Sequence, residues 1–310
     1  MTVLVLGGCG FIGSHVVDAL LAEGRTVRVL GRSPERFRAP LPGVEYLFGS
    51  YDDPALLARA LTGCEAVFHL VSSTFPGTAP PAADVRGNLL GTLAVMEVMR
   101  DAKVRRLLFI SSGGTVYGIP EHVPIPEDHP LRPIGSYGIV KVAIESYLWM
   151  YRAAHGLSPV VLRPSNPYGA RQGHLGVQGV VATLMDRAIT GLPMTVWGDG
   201  TVVRDFVDVR DVADLAVRAG LSEVEGTFNV GSGVGTSVND LIEAVRDVTG
   251  RPLNVEYAEG RGVDVPVSVL DCSAARTAFG WQARYGIREG LDQVWRWRQV
   301  LATSGPVRST

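Results

Sequence analysis

Cysteine is scarce. The chain has three, Cys9, Cys64 and Cys272, odd in number and far apart, which argues against a disulfide framework and against a structural zinc site. An excess of one charge is also lacking. Twenty-nine Lys and Arg stand against thirty-one Asp and Glu, a formal net charge of −2. That balance offers no electrostatic footprint for nucleic acid or an anionic membrane surface. No apolar run approaches the roughly 18 residues of a membrane span, and Met1–Gly7 carries neither the positive n-region nor the long apolar stretch of a signal peptide. His69, His122, His129, His155 and His174 lack metal-ligand spacing and His15 falls within a helical pattern, so no metal is expected. The expectation left standing is a soluble, cytoplasmic protein. With 46% hydrophobic residues in 310, it is large enough for two domains and a sizeable core.

The first half alternates short β-branched runs with helical patterns, the mark of a parallel sheet with helices on both faces. Thr2–Leu6, Thr26–Leu30, Val44–Leu47, Ala66–Leu70, Arg106–Ile110 and Ser158–Arg163 read as strands. Ile12–Glu23, Pro54–Leu61, Asn88–Ala102 and Ser136–Ala154 read as helices, three of them stopped by Gly24, Gly63 and Gly156. Leu89, Leu90, Leu93, Met96 and Met99 form an apolar stripe, either core or half of a subunit interface. Beyond Arg163 the alternation loosens. Val177–Thr190, Ser237–Thr249 and Ile287–Leu301 read as helices, and Met194–Trp197, Val203–Val207 and Thr227–Val230 as extended. The expected fold class is α/β: a Rossmann-type doubly wound parallel sheet over 1–165, with a smaller C-terminal α/β lobe over 166–310. Parts of that lobe, about 202–232, are expected to pack back on the first domain.

Gly7-Gly8-Cys9-Gly10-Phe11-Ile12-Gly13 follows the first strand directly and opens the first helix. Gly7 suits a tight turn, Gly10 lets backbone approach a pyrophosphate, and Gly13 permits close helix–strand packing. The helix start at Phe11 and Ile12 then presents N–H groups to phosphate. The G-x-x-G-x-x-G spacing alone is a weak signal; its place in a βαβ unit makes it a dinucleotide site. Cys9 has no flanking His or Cys and reads as packing.

The second strand normally ends in a carboxylate that holds the adenosine ribose of NAD. Here Leu30-Gly31-Arg32-Ser33 has none. Arg32 matches the 2′-phosphate of NADP, or else stacks on adenine or faces solvent.

Tyr137 and Lys141 stand four apart on one helical face. A cation beside a phenol favours the phenolate, which brings a tyrosine towards service as a general base. With the Gly-rich turn and this pair in place, the chain resembles the extended short-chain dehydrogenase/reductases. Within them it resembles the NAD-dependent epimerase/dehydratase family and its UDP-glucose 4-epimerase-like enzymes. The resemblance runs over nearly the whole length. It rests also on Ser111–Gly118 (SSGGTVYG), Arg163–Gly169 (RPSNPYG), Trp197–Gly200, Arg204–Val212 and the Arg261/Asp264 pair.

The resemblance implies that Tyr137 takes the sugar hydroxyl proton, while Lys141 binds the nicotinamide ribose and tunes Tyr137. It places Leu70, Val71, Asn88 and Pro164 at the cofactor and Asn166 at the substrate diphosphate. Thr195 and Trp197 flank the uracil, Arg204 and Arg261 bind diphosphate, and Asp264 binds the nucleotide ribose. Ser268 stands where related epimerases carry a bulky aromatic that crowds the sugar C2 substituent, which implies that N-acetylated sugars are admitted; the alternative is that another side chain, such as Tyr168 or Gln178, fills the vacancy.

Two departures stand out. Gly113 replaces the usual Ser or Thr that hydrogen-bonds the reacting sugar oxygen, leaving Ser112, Thr115 or a water for that role. Ser50 replaces an adenine-contacting Asp. The Asp-Glu pair of the related 4,6-dehydratases is also missing, since Gly114 and Thr115 stand there, and without a carboxyl group dehydration and decarboxylation lose their proton-transfer group. The leading expectation is a UDP-hexose 4-epimerase with NAD as cofactor and a homodimeric assembly. An NADPH-dependent 4-ketoreductase, supported by Arg32, and a catalytically silent nucleotide-binding protein are the alternatives.

Overall fold

The computed structural model describes residues 2–77, 79–173, 179–260 and 265–304. Arg261, Asp264 and Gln178 lie outside the described residues. In chain order the first elements are β1 (Thr2–Leu6), α1 (Phe11–Ala22), β2 (Thr26–Gly31), β3 (Glu45–Phe48), α2 (Pro54–Leu61) and β4 (Cys64–His69). Then come α3 (Pro81–Asp84), a π-helical turn (Val85–Leu90), α4 (Gly91–Asp101), β5 (Arg106–Ile110), α5 (Ser136–His155), β6 (Ser158–Pro164) and β7 (Asn166–Tyr168). The remainder is α6 (Val180–Thr190), β8 (Met194–Trp197), β9 (Val203–Asp208), α7 (Val209–Gly220), β10 (Gly226–Val230) and β11 (Gly235–Ser237), followed by α8 (Val238–Thr249), β12 (Val255–Ala258), β13 (Val267–Ser268), α9 (Ser273–Phe279) and α10 (Ile287–Ser304).

The main sheet has seven strands in the order β10-β6-β5-β4-β1-β2-β3. Its pairings from β3 through β6 are parallel. Strand order therefore reverses between β1 and β4, and such a switch point is where doubly wound sheets bind ligands. The sequence explains the pattern. β1 is an unbroken β-branched and leucine run buried from Val3 to Leu6, as strands covered on both faces must be. Asp53 caps α2 by accepting from Ala55 N and Leu56 N, with Pro54 at the first helical position.

The chain divides into two compact units, one of residues 1–118, 130–163 and 213–228, the other of 119–129, 164–212 and 229–310. In the first, Leu4, Leu6, Leu30, Val67, Phe109 and Val161 on the strands meet Leu57, Leu61, Met96, Met99, Ile144 and Leu148 on the helices. Each such side chain contributes about 1.5–3 kcal/mol through burial. The second unit has its own core, with Leu184 and Met185 of α6, Leu241 and Val245 of α8 and Leu291 of α10 packed together.

The apolar stripe on the fourth helical segment divides. Met96 and Met99 are fully buried, Leu89 and Leu93 pack at the core margin, and Leu90 is 52% exposed. Ile144 and Leu148 of α5 also belong to the core and offer no subunit surface. The helix expected from Asn88 begins in the π-helical turn at Val85. α7 is absent from the sequence reading because the valines at 202, 203, 207, 209 and 212 run strand and helix together with no breaker between them.

Candidate functional site

The Gly-rich turn joins β1 to α1 in the first unit. Gly7 has φ +82, a left-handed conformation, and Gly10 N donates to Gly7 O at 2.9 Å. A methyl on Gly13 would lie 2.0 Å from Gly7 O, so only glycine lets α1 start this close to the turn. α1 has no side-chain cap and no acid in its first turn. Its first N–H groups and dipole therefore point at an anion site. The backbone of Leu70 and Val71 lies against Gly7, which brings Gly7, Gly10, Phe11, Ile12, Gly13, Leu70 and Val71 together at the switch point. This cradle fits the pyrophosphate of a dinucleotide. Cys9 within it is inert: burial, then the field of the Glu35 carboxylate, lifts its thiol to about 11.

Asn88 acts one step back from that cradle. Its Oδ1 accepts from Ser73 N at 2.8 Å and Ser73 Oγ at 3.1 Å, and its Nδ2 donates to Thr74 Oγ1 at 2.7 Å. It thereby pins the loop that follows Leu70 and Val71. Behind it, Thr92 Oγ1 donates to Asn88 O at 2.6 Å and lies 2.9 Å from His69 Nε2. The threonine has one proton and has given it away, so the imidazole donates through Nε2. His69 Nδ1 is buried without a hydrogen-bond partner. Desolvation, with the charge of Lys141, pushes His69 down to about 3, so the ring is neutral.

At the adenosine end of the cradle, Arg32 and Ser50 are both exposed. The Ser50 hydroxyl donates to Asp52.

Lys141 of α5 is 2% exposed and donates to Ile110 O at the end of β5, at 2.8 Å. That bond holds its ammonium 5.5 Å from the Tyr137 ring centroid and 4.7 Å from that of Phe109. Tyr137 itself is half-buried. The 111–118 loop packs against the start of α5, since a methyl on Gly138 would lie 2.5 Å from Thr115 O. Thr115 Oγ1 is buried and has no hydrogen-bond partner. Ser112 is half-buried, and its carbonyl accepts from Thr115 N and Val116 N. Tyr137, Lys141, Thr115 and Ser112 thus gather at one end of β5 and α5.

A buried ionic network supports them. Ser111 Oγ donates to Glu145 Oε1, Arg163 Nη2 pairs with Glu145 Oε2 at 2.6 Å, and Arg163 Nη1 donates to Tyr117 Oη at 2.9 Å. Removing one partner would leave an unpaired buried charge, at a cost of about 3–5 kcal/mol. Glu145 carries no signal in the sequence, because a Glu on a helix reads as solvated until its partner on β6 is known.

Pro164, the last residue of β6, falls in the second unit, where Ser165 N donates to Val230 O at 2.9 Å. There β9 is the central strand. Asn166 on β7 is in register with Phe206, and its Nδ2 donates to Asp205 O at 2.9 Å. Ser268 on β13 is in register with Arg204, whose Nη1 donates to Val265 O at 2.6 Å. Asn166, Arg204 and Ser268 therefore share one sheet. Thr195 and Trp197 lie on another, the β12-β8 pair, where both are exposed, Trp197 by 46%. The residue that fixes this region is Asp205. Its buried carboxylate accepts from Ser232 N at 2.8 Å, Ser232 Oγ at 2.7 Å and Leu270 N at 3.2 Å. Burial pushes Asp205 upwards against these hydrogen bonds.

An uncapped Gly-rich turn at the switch point, with a Tyr/Lys pair beyond β5, defines a dinucleotide-dependent enzyme of the short-chain dehydrogenase/reductase class. Residues 3–231 match the model of the NAD dependent epimerase/dehydratase family, and the chain belongs to that family. It is 38% identical over 305 residues to a UDP-glucose 4-epimerase of Mycolicibacterium smegmatis, covering 94% of this chain and 96% of the relative. A crystal structure of the Thermotoga maritima UDP-glucose 4-epimerase with UDP-glucose superposes with a TM-score of 0.92 at 35% identity, over 97% of this chain and 100% of the other. The Thermus thermophilus enzyme in complex with NAD gives 0.90 at 37% identity, over 97% and 100%. A UDP-N-acetylglucosamine 4-epimerase of Methanobrevibacter ruminantium gives 0.90 at 26% identity, over 96% and 98%.

Proposed function

We infer that this chain is a UDP-hexose 4-epimerase that uses NAD and acts through a transient 4-keto sugar. The observation that carries the reading is the Tyr137/Lys141 pair, fixed by the bond from Lys141 to Ile110 O at 2.8 Å, in the unit that also holds the uncapped turn. When bound, NAD supplies reversible acceptance of the C4 hydride. Tyr137 removes the O4 proton from the sugar. Lys141 places positive charge beside the phenolate oxygen that receives this proton, and the orphan hydroxyl of Thr115 donates to the reacting oxygen, the role Gly113 leaves open. Gly7, Gly10, Phe11, Ile12 and Gly13 hold the pyrophosphate. Leu70 and Val71 line the site, and Asn88 acts by holding their loop. In the second unit Asn166 and Arg204 bind the substrate diphosphate, Thr195 and Trp197 flank the uracil, and Ser268 lies near the C2 substituent. Arg261 and Asp264 belong to the same reading. The first unit serves as the cofactor domain and the second as the nucleotide-sugar lobe.

Three further elements belong to the proposal. The Ser268 position admits N-acetylated sugars, and one of the structural relatives acts on such a sugar. The enzyme is a homodimer through α5 and α4 with the π-helical turn before it; Leu90 of that turn and Ile139, Tyr147 and Met150 of α5 are exposed. It works in the cytoplasm, in keeping with Cys9, Cys64 and Cys272 as free thiols. Purified protein incubated with UDP-glucose, UDP-galactose or their N-acetylated counterparts, with no added cofactor, tests the function. The C4 epimer is expected by NMR. Product formed only with added NADPH from a 4-keto sugar would make the enzyme a reductase instead.

A further inference from the structure

We propose that the dinucleotide site accepts NADP as well as NAD, with Arg32 and Ser33 as the residues that receive the 2′-phosphate. The proposal rests on the dinucleotide site and not on the identity of the sugar. In a doubly wound sheet the end of β2 faces the adenosine ribose, and a carboxylate there selects NAD by bonding the 2′-hydroxyl and repelling a 2′-phosphate. This chain has no carboxylate in Leu30-Gly31-Arg32-Ser33. Position 31 is a glycine, and a side chain there would make only ordinary contacts, with Cys9 Sγ at 3.5 Å, Cys9 Cβ at 3.7 Å and Ser33 O at 3.7 Å.

The acids nearby are engaged by other partners. Arg38 Nε pairs with Glu35 Oε2 at 2.7 Å, its Nη1 pairs with Asp18, and its Nη2 donates to Ser14 O at 3.1 Å. The Glu35 side chain is only 7% exposed, so its charge is turned into the protein. Asp52, on the neighbouring loop, accepts from the Ser50 hydroxyl, and its field and that of Arg32 oppose each other at Tyr51. Arg32 and Ser33 are exposed, and Arg32 makes no hydrogen bond or ion pair among the described residues. The end of β2 therefore offers an uncommitted guanidinium beside an exposed hydroxyl, donors whose geometry matches a phosphate monoester.

The test measures nucleotide content, independently of turnover. The holoenzyme is incubated with an equimolar mixture of NADP and labelled NAD and then desalted. Its nucleotides are released by denaturation and quantified by mass spectrometry, the labelled NAD showing how far resident cofactor has exchanged. Of the exchanged fraction, NADP is expected to make up at least about a tenth. Loss of a charge-assisted phosphate contact in Arg32→Ala should lower that share about tenfold or more, with NAD still bound. Gly31→Asp should lower it by a similar factor through charge repulsion. An NADP share below about one part in a hundred, roughly 3 kcal/mol against it, would overturn the proposal. So would an Arg32→Ala protein that loses NAD and NADP equally, since that is the signature of stacking on adenine. Release of neither nucleotide would overturn the dinucleotide site itself.

Discussion

The carbonyl oxygen of Thr115 lies so close to Gly138 that a methyl there would sit 2.5 Å away. This contact sets the 111–118 loop beside Tyr137, the residue before Gly138, and the Thr115 hydroxyl is buried there without a partner. A buried hydroxyl that bonds nothing in the protein adds no stability, and its removal costs little. Thr115→Val keeps the shape and deletes the donor. Its melting temperature is expected to match or exceed that of the parent, while kcat falls about 10- to 1000-fold through loss of one donor to the reacting oxygen. Unchanged kcat would assign the role to Ser112 or a water.

Tyr137→Phe removes the base and leaves the α5 backbone and the Lys141 bond to Ile110 O in place. Turnover should drop by about 10²–10⁴, the usual consequence of losing a general base. Circular dichroism should be unchanged. Activity within about a factor of two of the parent would take Tyr137 out of the mechanism.

Local sequence contained the cofactor half of this arrangement. The Gly-rich turn, the strand before it and the helix after it are contiguous, and Tyr137 and Lys141 share a face by helical period alone. The buried network was not legible, because Glu145, Arg163, Ser111 and Tyr117 come from separate elements and meet only when β5, β6 and α5 pack. Asp205 sits in a Val-Arg-Asp-Phe-Val run, where alternation cannot say that its carboxylate ties three segments together. β7, β11 and β13 have only two or three residues each, too few to display a period.

His69 makes stability depend on pH. Its ordinary value of 6.5 falls to about 3 in the folded protein. The contribution is complete above the unfolded value and is lost as the pH falls from about 6.5 towards 3. Between pH 7.5 and pH 5 the parent should therefore lose about 2 kcal/mol of unfolding free energy more than His69→Gln, whose amide can still donate to Thr92. Urea unfolding of both proteins at the two pH values makes the comparison. Parallel losses would show that His69 does not govern this range.

Light scattering at micromolar concentration should give twice the chain mass of 33.1 kDa. Ile139 and Met150 are 55% and 44% exposed on α5. They are apolar surface on the helix pair proposed to meet its copy across a two-fold axis, the commonest closed contact. Ile139→Asp with Met150→Lys should yield a monomer that keeps its circular dichroism spectrum. A monomeric parent would refute the assembly.

Ser268 should decide substrate breadth. It is 9% exposed and stands on β13 in register with Arg204, so it is fixed by strand pairing beside a residue proposed to bind diphosphate. A serine leaves volume that a tyrosine would occupy, and its hydroxyl can donate to the carbonyl of an acetamido group. Tyr168, an alternative filler, is 1% exposed and its hydroxyl donates to Ile287 O at 3.5 Å, so it is already committed to the core of the second unit. Ser268→Tyr should therefore act on the C2 substituent and not on C4 chemistry. The expected result is a loss of about tenfold or more in kcat/KM for UDP-N-acetylglucosamine, with UDP-glucose changed by less than about threefold, because steric exclusion discriminates by roughly 1–3 kcal/mol. Ser268→Ala separates the two contributions: it keeps the volume and removes the donor, so it should lower the N-acetylated activity by only a few-fold. The melting temperature of each variant checks that β13 still pairs with β9. Equal loss on both sugars in a folded Ser268→Tyr protein would place the C2 substituent elsewhere.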